Sequence, residues 1–250
     1  MDEWYHYIFL IVVGFAVGFI NTIAGGGTLL SLPVLIFLGL PPNVANGTNR
    51  VAIIIQTAFA TAGFKSKGVT TFPFNAYLGT SALLGAIIGA RIAVDIDGAV
   101  FNKILAVIMI AVVLIIFFKP EINLKDVNER LTGKYLWLGM LTFFIFGIYG
   151  GFINAGIGFI IILFLHFFNH MSLVRANATK VAVVCMYTLS ALVVFILNDK
   201  VNWVIGFVLA IGNASGAWIA SRVSVSKGDG FIKTFLLVVV GIMAIKLWFF

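Results

Sequence analysis

Long apolar runs, separated by short polar or glycine-rich segments, fill almost the whole chain. A bilayer-spanning helix needs about 20 apolar residues, within a range of about 17–25. The first run, residues 7–23, ends at Ala24-Gly25-Gly26-Gly27, which no helix interior favours. The second, 28–40, stops at Pro41-Pro42, and the third, 44–64, ends at Lys65-Ser66-Lys67-Gly68. Runs 74–94 and 100–118 complete a first set of five. Residues 119–134 form a long polar stretch that reads as a solvated connector. The pattern then recurs as 135–153, 157–168, 173–197, 201–221 and 231–250.

Runs 28–40 and 157–168 are about 18–20 Å long as helices, too short for a ~30 Å hydrocarbon core. Each follows an interruption, at residues 24–27 and 155–158. Irregular backbone at membrane depth is tolerated only inside protein or along a water-filled cavity. These runs are expected to be half-helices or re-entrant segments. The predicted fold is an all-α polytopic membrane protein with a single transporter domain over residues 1–250. It divides into repeat 1 (1–118), a cytoplasmic connector (119–134) and repeat 2 (135–250). Each repeat holds an interrupted or re-entrant helix pair plus three transmembrane helices.

Four collinear matches support a duplication. Gly14-x3-Gly18-Phe19-Ile20-Asn21 recurs as Gly147-x3-Gly151-Phe152-Ile153-Asn154. Ala45-Asn46-Gly47-Thr48 recurs as Ala176-Asn177-Ala178-Thr179. Gly85-x3-Gly89-Ala90 recurs as Gly212-x3-Gly216-Ala217, and Phe101-x-Lys103 as Phe231-x-Lys233. The offsets are 133, 131, 127 and 130. Charge then orients the halves. If each half crosses an odd number of times, only Arg50, Arg91, Lys103, Lys200 and Lys246 fall on one side, and the other 11 of the 16 cations fall on the other. An even number divides them 8 and 8. Cytoplasmic loops carry excess Lys and Arg, so inverted repeats are expected, with both termini outside the cytoplasm. Inverted repeats with matched helix breaks are the signature of secondary transporters.

Composition sharpens this reading. Hydrophobic residues make up 62% and charged residues 10%, against about 25% charged in soluble domains. The net charge of +7 would suggest nucleic acid in a soluble protein, but these cations sit mostly between apolar runs, so none is expected. One cysteine, Cys185, excludes an intrachain disulfide framework. The acidic start, Asp2-Glu3, lacks the basic opening of a secretory signal, so the first run is read as retained.

Asn21-Thr22-Ile23-Ala24-Gly25-Gly26-Gly27, Leu32-Pro33 and Ala45-Asn46-Gly47-Thr48 resemble the first-half signature of the sulfite exporter TauE/SafE family. Residues 151–158, Gly-Phe-Ile-Asn-Ala-Gly-Ile-Gly, with Ala176-Asn177-Ala178-Thr179-Lys180, resemble its second-half signature. The resemblance spans essentially the whole chain. It implies a bacterial inner-membrane permease moving sulfite or organosulfonates, usually outward. The second half departs from it at Gly156-Ile157-Gly158, where the first has three consecutive glycines.

Arg50 and Lys180 lie inside apolar runs, each roughly 10 Å along its helix. Intramembrane cations usually face a cavity or a partner; snorkelling to the interface is the competing reading. Asn21 and Asn154 precede the breaks and either cap the broken helix or bind substrate oxygens. Glycines allow close approach of an anion, and a half-helix N-terminus adds partial positive charge. Thr48 and Thr179 offer hydroxyls, or back-bond to their helices. One central anion site is therefore expected, built from Asn21, Gly25, Gly26, Gly27, Thr48 and Arg50 with Asn154, Gly158, Thr179 and Lys180. The paired Gly85/Gly89 and Gly212/Gly216 suit close helix packing. His166, alone on an apolar helix, reads as packed.

No carboxylate lies in the middle of any run, and no hydrolase triad, P-loop or metal-ligand spacing appears. The expected activity is transport of a small anion, a sulfur oxyanion or organosulfonate, with no enzymatic reaction, cofactor or metal. Uptake of another small solute is the alternative; a membrane-embedded enzyme or an assembly subunit stands further off. The expected partners are the anion and the lipid bilayer, with a homo-oligomer left open. Orientation is testable: in intact cells Asn128→Cys is expected to stay unlabelled by an impermeant maleimide, and labelling there would reverse the topology.

Overall fold

The computed structural model describes residues 4–117 and 128–249. Among these residues the chain is helical, without a β-strand. The first half comprises α1 (Trp4–Ile23), α2 (Thr28–Phe37), α3 (Pro42–Lys65), α4 (Phe74–Asp95) and α5 (Gly98–Phe117). The second comprises α6 (Lys134–Phe152), α7 (Ile157–Phe167), α8 (Leu173–Leu197) and α9 (Trp203–Phe249). Lys119 and Lys125 of the expected connector lie outside the described residues. The expected runs 201–221 and 231–250 are two helices that meet at a kink at Gly228 (φ 70°, ψ −170°); they carry one label, α9, because no loop separates them.

Five helices, α1, α4, α6, α8 and the Trp203–Leu236 part of α9, are long and apolar enough to cross a membrane. The burial pattern agrees with that solvent. Asn46, Arg50, Gln56, Asn177 and Lys180 are buried, while Trp4, Leu141, Trp137 and Leu197 are exposed. The chain is a multi-pass membrane protein.

With 10 and 11 residues, α2 and α7 are about 15 and 17 Å long, half a crossing. Their direction follows from the helix seams. Gly212 faces Ile11 and Gly216 faces Phe15, so α1 runs parallel to the start of α9. Gly206 faces Val51 and Gly63 faces Ser221, so α3 also runs parallel to it. Since α1 and α3 start at the same end, α2 must bring the chain back, and α1–α2 is a re-entrant hairpin. The second half behaves alike. Gly147 faces Ala82 and Gly151 faces Ala86, making α6 parallel to α4. Gly79 meets Met186, and the Ser190 hydroxyl donates to the Leu83 carbonyl at 3.0 Å, making α8 parallel to α4. Hence α7 is the returning arm.

Lipid offers no hydrophobic drive for helix association, so close backbone packing has to supply it. Each half lends its first helix to the other half's fourth apolar run: α1 packs on α9 and α6 on α4. Glycines line both sides of both seams, Gly14 and Gly18 against Leu209 and Asn213, Gly85 and Gly89 against Phe144 and Ile148. A Cβ on Gly89 would strike the Ile148 carbonyl, which is backbone and cannot rotate away. Gly89→Val is therefore expected to cost about 1–3 kcal/mol and lower the Tm in detergent. Gly230→Ala, where the added Cβ meets open space, should leave the Tm unchanged or higher. Equal melting of wild type and Gly89→Val would refute the seam.

Candidate functional site

Two helices end inside the protein. The break between α1 and α2 covers residues 24–27, with Gly25 in the left-handed region (φ 85°). The break between α6 and α7 covers residues 153–156, with Asn154 (φ 58°) and Gly156 (φ 72°) left-handed. The two meet backbone to backbone. A Cβ on Gly25 would collide with Gly158, and one on Gly158 with Gly25. Only glycine serves at Gly25, because the turn and the crossing both exclude a side chain.

A helix C-terminus leaves its last four carbonyls unpaired and carries partial negative charge. Here α3 and α8 supply the partners. The Lys180 ammonium donates to the Asn21 and Thr22 carbonyls at 3.0 and 2.8 Å and to the Asn177 side-chain oxygen at 2.7 Å. The Asn177 amide donates to the Ile23 carbonyl at 3.0 Å. In the other half, the Arg50 guanidinium donates to the Gly150 and Gly151 carbonyls at 2.6 and 2.9 Å and to Asn46 at 3.2 Å. The Asn46 amide donates to the Phe152 carbonyl at 2.7 Å. Thus an Asn and a cation, one helical turn apart, cap each internal C-terminus from a helix of the opposite half. Neither cation snorkels: Arg50 is 0% and Lys180 2% exposed.

Between the breaks lies a narrow cavity with room for about one water molecule. Asn21, Gly25, Gln56, Thr57, Asn154 and Lys180 line its polar part, Val181, Val184 and Ile157 its apolar wall. Asn21 accepts from the Gly27 N–H at 3.3 Å and donates to Gln56 Oε1 at 3.1 Å. Asn154 donates to the Thr28 hydroxyl at 3.3 Å and accepts from the Tyr187 hydroxyl. Both α2 and α7 start at this crossing, so their positive N-terminal ends meet there.

A family model described as sulfite exporter TauE/SafE matches residues 10–247. The chain belongs to this family. A "Probable membrane transporter protein" of Haemophilus influenzae is 29% identical over 95% of this chain and 92% of its own length. One from a Sinorhizobium species is 28% identical, over 96% and 91%. "Probable membrane transporter protein YfcA" of Escherichia coli K12 is 29% identical, over 95% and 88%. No solved structure matches the chain. The chain is a membrane transporter of the TauE/SafE family.

The expected site residues of this TauE/SafE protein divide. Asn21, Gly25, Asn154, Gly158 and Lys180 converge on the cavity. Gly26 packs against the Phe159 ring, and Gly27 against Asn21 at the start of α2. Arg50 holds the end of α6 and is not among the cavity-lining residues. Thr48 and Thr179 turn away from it. Thr48 accepts from the Asn202 N–H at 2.9 Å, and Thr179 donates to the Arg175 carbonyl or Thr71 at 2.9 Å. The reason is helical phase: Thr48 stands two residues, about 200°, from both Asn46 and Arg50. The second interruption also falls earlier than the expected 155–158. Its start lies 129 residues after the first break's, while the Asn21 and Asn154 motifs lie 133 apart, so Asn154 sits within its break and Gly158 within α7. His166 is packed, its Nδ1 2.8 Å from the Met171 carbonyl. No metal-holding cluster occurs among the described residues.

Gln56 and Tyr187 were missed. They lie 131 residues apart, the offset of the surrounding repeat, and each bonds its own half's break asparagine. The available signal was a polar Gln deep within an apolar run. Removing Arg50 takes a charged donor from two buried carbonyls and leaves the Asn46 side-chain oxygen unpaired. Arg50→Met is expected to cost roughly 3–5 kcal/mol, the scale of breaking a buried charged network. Loss of the monodisperse peak in detergent gel filtration would register it; a wild-type profile and Tm would refute the capping role.

Proposed function

We propose that the protein is a secondary transporter that exports a small anion, a sulfur oxyanion or organosulfonate, across the bacterial inner membrane. The observation that carries this reading is electrostatic. Each break leaves one negative helix end and one positive helix end in the interior. Lys180 with Asn177, and Arg50 with Asn46, satisfy the negative ends. The positive end of α7, whose first residues Ile157 and Gly158 line the cavity, remains directed at it, with the start of α2 close by, which favours an anion. A sulfonate or sulfite group offers three acceptor oxygens to such N–H groups, and none of the lining residues is a carboxylate that would repel it.

The two halves are read as inverted repeats, with both termini outside the cytoplasm. The reading is supported by α3 and α8. Thr48 near the start of α3 bonds the segment just beyond α8, and Thr179 near the start of α8 bonds the segment just beyond α3, so these equivalent helices run antiparallel. The membrane potential supplies a driving force for export, about 2.3 kcal/mol per negative charge per 100 mV. The substrate is the anion itself, and no cofactor takes part.

Purified protein in liposomes, tested for efflux and uptake of sulfite, sulfate, thiosulfate and ethanesulfonate, decides the reading. At least one anion is expected to move electrogenically and faster when the potential expels it. Lys180→Gln, whose amide keeps a donor for the α1 carbonyls, is expected to reduce that flux per folded protein recovered in the liposomes by at least about tenfold, the scale of one charged hydrogen bond. Anion flux no greater than in protein-free liposomes, or movement only of neutral solutes, would overturn it.

A further inference from the structure

We infer that the Gln56 side-chain amide is the hydrogen-bond donor that selects an oxyanion in the central cavity, an inference that rests on the proposed anion transport. Gln56 is 1% exposed and lines the cavity, half-way along α3. Its two amide atoms differ in their surroundings. Oε1 receives the Asn21 amide at 3.1 Å and the Asn213 amide at 3.4 Å. Nε2 has no hydrogen-bond partner, although it is buried. The orientation of this amide follows from Asn21, whose Oδ1 is fixed by the Gly27 N–H so that its own N–H faces Gln56. Turned round, Nε2 would confront the Asn21 N–H donor to donor, and Asn21 cannot turn without losing the Gly27 N–H. The two asparagines therefore hold the amide so that its N–H bonds are the free group beside the cavity.

A buried unpaired donor is costly and needs a reason. Packing does not supply one, because the other half manages without it. The equivalent of Gln56 there is Tyr187, whose hydroxyl is already spent on Asn154. The equivalent of Asn213 is Ala86, which has no amide at all. The Gln56–Asn213 pairing, drawn from opposite halves, thus occurs at only one of the two repeat-related positions, beside the cavity that Lys180 also lines.

The arrangement dictates what binds. With Oε1 occupied by two donors, Gln56 offers the ligand N–H groups only. An oxygen carrying a proton would face it donor to donor, while an acceptor-only oxygen completes it. The site therefore prefers a headgroup with bare oxygens, such as a sulfonate or a fully deprotonated oxyanion, and disfavours a neutral hydroxylated solute. Lys180 supplies the charge; Gln56 supplies the test for lone pairs.

Proteoliposome uptake of radiolabelled ethanesulfonate and sulfite by wild type, Gln56→Met and Gln56→Glu tests this. Methionine keeps the volume and removes the donor; glutamate keeps the shape and replaces the donor with an acceptor. For Gln56→Met the half-saturating concentration is expected to rise about tenfold or more, the loss of one hydrogen bond to a charged group, with maximal flux within about twofold. Gln56→Glu is expected to lose saturable anion uptake at a wild-type Tm. Asn213→Leu, which frees the amide to rotate without touching the cavity lining, is expected to raise the same concentration by a smaller factor. It also keeps the test open if the Gln56 variants fail to fold. Wild-type concentrations for Gln56→Met or Asn213→Leu would overturn the inference while leaving anion transport standing. No anion flux by wild type would instead sink the transport reading.

Discussion

Peptide carbonyls that end a helix inside an apolar environment have no water to turn to. Each buried one left unpaired costs on the order of several kcal/mol in hydrocarbon. This protein ends two helices that way, at Ile23 and Phe152, and much of its polar interior follows from the need to pair those carbonyls. The donors must reach from another helix, must be long, and must tolerate burial. Lys180 and Arg50 meet these conditions because the carbonyls they face carry the negative end of a helix dipole. The cations are compensated by backbone, not by carboxylates. The asparagine one turn before each cation completes the cap, which explains why α3 and α8 begin with polar sequence at membrane depth.

The caps also set the architecture. Lys180 belongs to the second half and holds the first half's break, while Arg50 does the reverse. Neither half can satisfy its own broken helix. The glycine seams repeat this exchange, with α1 lying on α9 and α6 on α4. Polar capping and close packing therefore act together, and the contact between Gly25 and Gly158 sits where both systems converge.

Much of this was legible before any coordinates. The short second runs, the first glycine break and the depth of Lys180 follow from length, turn chemistry and apolar context, and the structure contains all three. The shared seams were legible as paired small residues. Where the structure departs from the expected placement, it does so for definite reasons. Thr48 and Thr179 share a motif with the capping asparagines, but the motif runs along a helix and spreads its residues over different faces. Asn154 matches Asn21 in sequence, yet α6 ends four residues sooner in register, so the same residue type caps one break from within α1 and lines the other from inside the turn. Gln56 escaped because its counterpart is a tyrosine, and repeat matching rewards identity.

The two caps are chemically unequal, and that inequality bears on how such a protein can move. Arg50 spreads three donors over two carbonyls and Asn46 and lies off the cavity. Releasing it exposes several groups at once, and a planar guanidinium cannot trade one partner without tilting away from the others. Lys180 is a point charge beside the cavity, with three rotatable donors. An ammonium can exchange one carbonyl for a ligand oxygen while keeping the remaining two bonds. The cavity as it stands has room for about one water, so any larger guest requires the breaks to part. On the proposed anion reading, the end of α1, held by Lys180, is the contact that the guest weakens by offering the ammonium another partner. The end of α6, held by Arg50, offers no such exchange. If the guest is the proposed anion, the chemistry makes the first of the two internal helix ends the one that yields and the second the one that stays.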